Sequence, residues 1–453
     1  MSTTRGDIIE HGGGGAVAPK PKWLRKRLEW FMDQRFGIFF HWGPYCQWDC
    51  CESWPLVPED TWARPDGMRC WEERGRDLER FQRDYWALNR TFNPVEFDPA
   101  AWASAARAGG MKYVTFTTKH HDGFCMWDTR TTDYRVTHPD CPFHAHPKAD
   151  IARHVFDAFR QEGLGVSCYF SKSDWHSPHY WSPRWPPVHR NPNYDTAEHP
   201  EIWDGFVRFV HGQVEELMTG YGPIDALWLD GGQVRADNKQ DIRMAEMAAM
   251  ARRHQPGLIM ADRTVGGDYE DFITPEHTIP EEPLGVPWES CLTLGHAWKY
   301  VEHDQYRPAR DVIRMLAEVA SKGGNLLLGF GPDPLGRLPQ EAVARLREVG
   351  AWLEVNGEAI YGTREVAPYG SGDVRFTARG STTYAIVLKV SDEAWARSEA
   401  AVPALRPAPG SKVHLLGHAA PPAWRAVGDG FTVELPDGLD REAPAWVVRF
   451  ERG

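Results

Sequence analysis

The stretch IDALWLDGG, residues 224–232, decides how the rest of the chain reads. Four apolar residues lead directly into Asp230, and two glycines follow, so the run ends on a carboxylate beside an open turn. A strand of this kind suits a parallel sheet buried on both faces. Five further runs share the pattern: FGIFFHWG (36–43), KYVTFTTKHHDGF (112–124), LGVSCYFSKSDW (164–175), GLIMADR (257–263) and NLLLGFGP (325–332).

Between these runs lie amphipathic stretches. Asp98 with Pro99 and then Gly109 mark the start and stop of one helix, and Asp150 and Gly163 bracket another. Ile202, Phe206 and Phe209 recur on one helical face, as do Val312, Leu316 and Val319. Strands alternating with helices predict an α/β fold, a parallel sheet wrapped by helices. Past Gly362 the helical period vanishes and short runs such as TYAIVLKV and AWVVRF take over, predicting an all-β sandwich. The expected division is a flexible tail at 1–24, a barrel at 25–362 and a sandwich at 363–453.

The chemistry gathers where the strands end. His41, the group Lys119-His120-His121-Asp122, the group Ser171-Lys172-Ser173-Asp174, Asp230 and the pair Asp262-Arg263 close five strands. In a (β/α)8 barrel that end carries the active site. Asp230 leaves the sheet on a rigid strand, as a nucleophile requires. Adjacent His120 and His121 reach one ligand only if the chain bends after them, and Gly123 permits a bend. Arg263 offers a fork of donors to a ring oxygen or a carboxylate, or else forms a structural pair with Asp262 or Glu282. A second carboxylate is sought among Glu270, Asp271, Glu276 and Glu289.

Composition narrows the function classes. A net charge of -12 argues against nucleic acid and acidic membrane surfaces as partners. No 18-residue apolar run and no apolar leader segment occur, so a cytoplasmic enzyme is expected, its homo-oligomeric state left open. The 8 cysteines lack a repeated C-x-x-C and read as mostly reduced. Loop tryptophans such as Trp175, Trp181 and Trp185 suggest flat faces for sugar rings. No cofactor or metal is expected, because the histidines lack a third partner at ligand spacing.

Taken together, FGIFFHWGPY, MKYVTFTTKHHDGFCMWDT, IDALWLDGG, PWESC and SKGGNLLLGFGPDPLGRLP resemble the signatures of glycoside hydrolase family 29 α-L-fucosidases, over residues 30–361. The resemblance implies an irregular (β/α)8-like barrel with a C-terminal β-sandwich and a retaining, exo-acting hydrolase of fucosylated oligosaccharides or glycoconjugates. It implies Asp230 as nucleophile, with His41, His120 and His121 on the sugar hydroxyls and Tyr169, Arg263 and Trp298 as further contacts. Glu52 and Trp54 match a Glu-Trp contact of the family, although here Ser53 separates them. Glu276 and Glu289 compete for the acid/base role, with PWESC favouring Glu289. Alternatives are an α-L-galactosidase on the same fold, a metal-dependent barrel hydrolase and a non-catalytic sugar binder.

Overall fold

The computed structural model describes residues 20–389, 391 and 398–452. Seven parallel strands form one curled sheet: β1 (Phe36–Phe40), β2 (Tyr113–Lys119), β3 (Gly165–Ser171), β4 (Ala226–Asp230), β5 (Ile259–Asp262), β6 (Glu289–Thr293) and β7 (Asn325–Phe330). Their spatial order is β5-β4-β3-β2-β1-β7-β6. All six strands expected from the sequence are present, and the seventh, β6, was hidden by its mixed composition, ESCLT.

The eighth stave is irregular. Residues 270–277 run between the two edge strands: Asp271 N donates to Met260 O of β5 at 2.8 Å, and His277 N to Cys291 O of β6 at 3.0 Å. Ile273 and Glu276 bridge Trp288 and Cys291 in parallel. Backbone groups with no other partner are satisfied this way, and the barrel closes without a regular strand.

Strand alternation sorts the side chains. Phe39, Tyr169, Trp228, Ala261, Cys291 and Leu327 fill the barrel interior, whereas Ile38, Phe116, Phe170, Leu227 and Leu328 face the helices. The N-terminal helix Lys22–Gln34 plugs the floor, its Phe31 ring lying 5.6 Å from Tyr113 and 4.5 Å from Phe272. That helix begins inside the stretch expected to be tail; the tail expected at residues 1–19 lies outside the described residues. Asp98 and Asp150 cap their helices as expected, accepting from Ala100 N at 3.2 Å and Arg153 N at 3.4 Å.

The C-terminal strands form a five-stranded antiparallel sheet, β8 (Arg364–Ser371), β9 (Val374–Arg379), β10 (Thr382–Leu388), β12 (His414–Leu415) and β15 (Ala445–Glu451). A three-stranded sheet of β11 (Glu399–Val402), β13 (Trp424–Val427) and β14 (Gly430–Glu434) covers it. Phe376 and Val448 meet Val402, Phe431 and Val433 in the core between them. The outer face of the larger sheet packs on the barrel helices, where Trp352 Nε1 donates to Ala445 O at 3.0 Å. All eight thiols are free.

Candidate active site

Alternation along β4 puts Ala226, Trp228 and Asp230 on the inner face, so the Asp230 carboxylate emerges at the C-terminal rim above the Trp228 indole. Tyr169 hydroxyl donates to its Oδ2 at 2.7 Å, Gly231 N to Oδ1 at 2.8 Å and Arg263 Nη1 to Oδ1 at 3.2 Å. His121 Nε2 stands 3.7 Å from Oδ2. Burial alone would raise the pKa of this carboxyl, but Arg263, His121 and these hydrogen bonds outweigh it and hold it well below the usual carboxylate range. Asp230 is thus an anion held in a fixed orientation.

The strand end KHHDG bends as its sequence suggested. Pairing of β2 with β3 shifts register between Thr117 and Lys119, and beyond the strand Gly123 turns back with a φ of 81°. A bulge of this kind re-aims side chains. Both imidazoles consequently face the site, with centroids 4.3 Å apart. Ser53 Oγ meets His120 Nδ1 at 2.6 Å, and Ser171 and Ser173 meet His121 Nδ1 at 2.6 and 3.0 Å. His41 stacks on Trp298 with centroids 5.0 Å apart, and its Nδ1 has no hydrogen-bond partner among the described residues. Burial lowers His41 to about 3 and His121 to about 4, and takes His120 well below its ordinary value. Three neutral imidazoles in one pocket offer donors and acceptors suited to hydroxyl groups.

Arg263 binds two carboxylates: Nη1 reaches Asp230, and Nη2 donates to Glu276 Oε2. The structural pairs considered for it go elsewhere, Asp262 to Lys172 at 2.5 Å and Glu282 to the Tyr369 hydroxyl. Glu276 Oε1 also accepts from Trp298 Nε1 at 3.1 Å. Burial would raise Glu276, but the Arg263 charge and hydrogen bond prevail and lower it.

Glu289, favoured from its motif, is elsewhere. It opens β6 at the lower end of the barrel, 1% exposed, with Tyr113 hydroxyl on Oε2 and Trp228 Nε1 on Oε1 at 3.2 Å. The Trp228 ring lies between it and the Asp230 rim. Glu276, and not Glu289, therefore stands beside Asp230: with β6 unrecognised, nothing in the sequence showed that Glu289 begins a strand rather than ends one. Glu270 and Asp271 are structural, Glu270 accepting from Thr264 N and Gly266 N, and Asp271 pairing with Arg252 at 2.8 Å.

Glu52 and Trp54 both border the pocket. Glu52 Oε1 accepts Lys299 N at 3.1 Å, securing the segment that carries Trp298, and the Trp54 ring lies 5.0 Å from His121. The intervening Ser53 supplies the hydroxyl on His120. Trp175 is buried behind these two rings, 5.2 Å from His121 and 5.7 Å from Trp54, and it stacks on Trp181 at 5.4 Å, whereas Trp185 packs on His199 at 4.8 Å within its own loop. The sequence placed Ser171 and Ser173 at a strand end, where a period of two faces them alike, without showing that they support His121, and nothing in it marked Ser53 as the support of His120. Among the described residues, no group of three or more His, Cys, Asp or Glu is arranged to hold a metal ion.

Comparison with known proteins agrees with this geometry. The α-L-fucosidase family model matches residues 17–358. The chain is similar to α-L-fucosidase isoenzyme 1 from Paenibacillus thiaminolyticus, with 32% identity, a TM-score of 0.76, and 95% of this chain and 100% of that one covered. It resembles Thermotoga maritima α-fucosidase, solved in complex with fucose, at 25% identity and a TM-score of 0.75, covering 96% and 100% of the two chains. Human plasma α-L-fucosidase is 27% identical over 94% of this chain and 90% of its own length. A barrel that closes on an irregular stave, an aspartate anchored above its central tryptophan and a family model spanning nearly all of that barrel lead to one assignment: the chain belongs to the α-L-fucosidase family, glycoside hydrolase family 29.

Proposed function

We propose that the chain removes terminal α-L-fucosyl residues from oligosaccharides or glycoconjugates with retention of configuration, Asp230 acting as nucleophile and Glu276 as acid/base. The observation that carries this reading is the shared guanidinium. Two carboxyl groups on one Arg263 stay close together, as the separation of about 5 to 5.5 Å in a retaining pair requires.

In the first half-reaction an Asp230 oxygen bonds to the anomeric carbon while the bond to the leaving oxygen breaks and Glu276 delivers its proton to that oxygen. In the second, Glu276 takes a proton from water, whose oxygen replaces Asp230 at the same carbon. Glu276 must hold a proton when substrate arrives. A sugar that parts it from Arg263 and covers the carboxyl leaves desolvation and the Asp230 charge, both of which raise its pKa. His41, His120 and His121 serve the ring hydroxyls, and Tyr169, Trp54, Glu52 and Trp298 complete the walls.

Residues 25–362 form the catalytic unit in this reading and 363–453 the sandwich unit. Cytoplasmic residence, which eight free thiols suit, and a homo-oligomeric state belong to the same reading, tested by cell fractionation and light scattering.

The deciding experiment uses 4-nitrophenyl α-L-fucoside and azide. Asp230→Ala should lose nearly all turnover and, rescued by azide, yield the β-fucosyl azide; Glu276→Ala should yield the α-fucosyl azide. Azide rescue of Glu289→Ala to the α-product, with none for Glu276→Ala, would reverse the acid/base assignment.

A further inference from the structure

PWESC at residues 287–291 is a sequence motif that the site leaves without a task. Glu289 is buried, yet both its oxygens are engaged, Oε1 by the Trp228 indole N–H and Oε2 by the Tyr113 hydroxyl. A buried carboxyl is costly unless its hydrogen bonds are filled, and burial pushes this one up to about 7. What it holds is the central ring of the barrel.

Trp228 is the surface on which the support of the nucleophile rests. Tyr169 stacks on it with centroids 5.3 Å apart and planes 26° apart, and the Arg263 guanidinium lies 5.1 Å from its centroid. Tyr169 and Arg263 are the two side chains whose donors reach the Asp230 carboxylate. An indole turns about a torsion that is broad and roughly two-fold, so packing leaves its tilt loosely chosen, whereas one N–H bonded to a fixed acceptor selects a single orientation. Phe39, meeting the ring edge-on at 5.4 Å, has no polar atom with which to make that choice.

We propose that Glu289 is a positioning residue for the nucleophile: by accepting the Trp228 N–H it sets the tilt of the indole, and the indole face sets where Tyr169 and Arg263 hold Asp230. The inference rests on Asp230 as nucleophile. It gives PWESC a role in the reaction without contact with the sugar.

The test compares Glu289→Leu, Glu289→Gln, Trp228→Phe and the Glu289→Leu/Trp228→Phe double variant in the full chain. It reads kcat and KM on 4-nitrophenyl α-L-fucoside, the rate of covalent labelling by a 2-fluoro fucosyl fluoride, and the melting temperature. A nucleophile displaced by a fraction of an ångström should lower kcat and the labelling rate about 10- to 100-fold in Glu289→Leu and Trp228→Phe, with little change in KM. Glu289→Gln keeps an acceptor and should restore most of that loss. The double variant should fall no further than the worse single one, because both remove the same contact. Additive losses, or an unchanged kcat in Trp228→Phe, overturn the proposal; the latter decides even if Glu289→Leu does not fold. Labelling at a residue other than Asp230 in the unaltered enzyme would instead remove the nucleophile assignment beneath it.

Discussion

Tyr169 donates its hydroxyl across 2.7 Å to Oδ2 of Asp230, which lies on the neighbouring strand two residues past Trp228, the register partner of Tyr169. The two inner-face positions are locked by the sheet, so the contact costs little ordering. It also disperses charge on the carboxylate before reaction.

Replacing Tyr169 with Phe removes that donor and leaves the ring stack on Trp228. The expected result is a kcat/KM about 10- to 100-fold lower, the loss of one hydrogen bond to a charged group at about 1.5 to 3 kcal/mol, with an unchanged melting temperature. Steady-state kinetics with the nitrophenyl fucoside and calorimetry check it. A drop in melting temperature with intact kinetics would assign the hydroxyl to folding alone.

Proton linkage yields a second prediction. His41 and His121 have folded pKa values of about 3 and 4, below the ordinary 6.5, so between pH 6.5 and about 4 the unfolded chain binds protons that the folded chain refuses. Stability therefore falls as pH drops through that window, by about 1.36 kcal/mol per pH unit for each full proton. Glu289 and Asp122, both raised to about 7, act oppositely: the folded state keeps a proton that the unfolded state has released, and stability falls as pH rises toward 7. His121→Gln should flatten the acid side of a denaturation series from pH 4 to 7.5, and Glu289→Gln should steepen it. Parallel curves for variants and unaltered protein would refute the linkage.

The third prediction concerns how the two histidines are aimed. Lys119 Nζ, at the end of β2, lies 3.0 Å from Asp174 and 2.9 Å from Gln213 Oε1, all of them buried. Asp174 also fills the space where a Cβ on Gly123 would come within 2.3 Å of its Oδ1. Lys119→Met strands a buried carboxylate and should cost about 3 to 5 kcal/mol. Lys119→Met/Asp174→Asn should regain much of the stability yet leave KM raised, because the bend is no longer clamped. Gly123→Ala should raise KM through both its positive φ and this clash. Melting curves and KM for the fucoside, measured together, test whether the clamp serves the histidines or only the fold.

Much of this was legible without coordinates. Asp230, His41 and Arg263 sit at strand ends that apolar runs announce, and a period of two places Trp228 and Asp230 on one face. The bend at His120-His121 followed from adjacency plus Gly123. These are local consequences of backbone geometry and burial, which a linear sequence carries.

What only the tertiary structure decided is which glutamate joins Asp230. Glu276 lies on a stave with no hydrophobic period, held by backbone bonds to β5 and β6, strands whose sequences lie on either side of it. Glu289 stands in a stronger motif but opens its strand, and a barrel sends the two ends of a strand to opposite faces. Sequence determines that a carboxylate is present and that its strand is buried. Only closure of the sheet, a long-range event, determines whether that carboxylate reaches the rim or the floor.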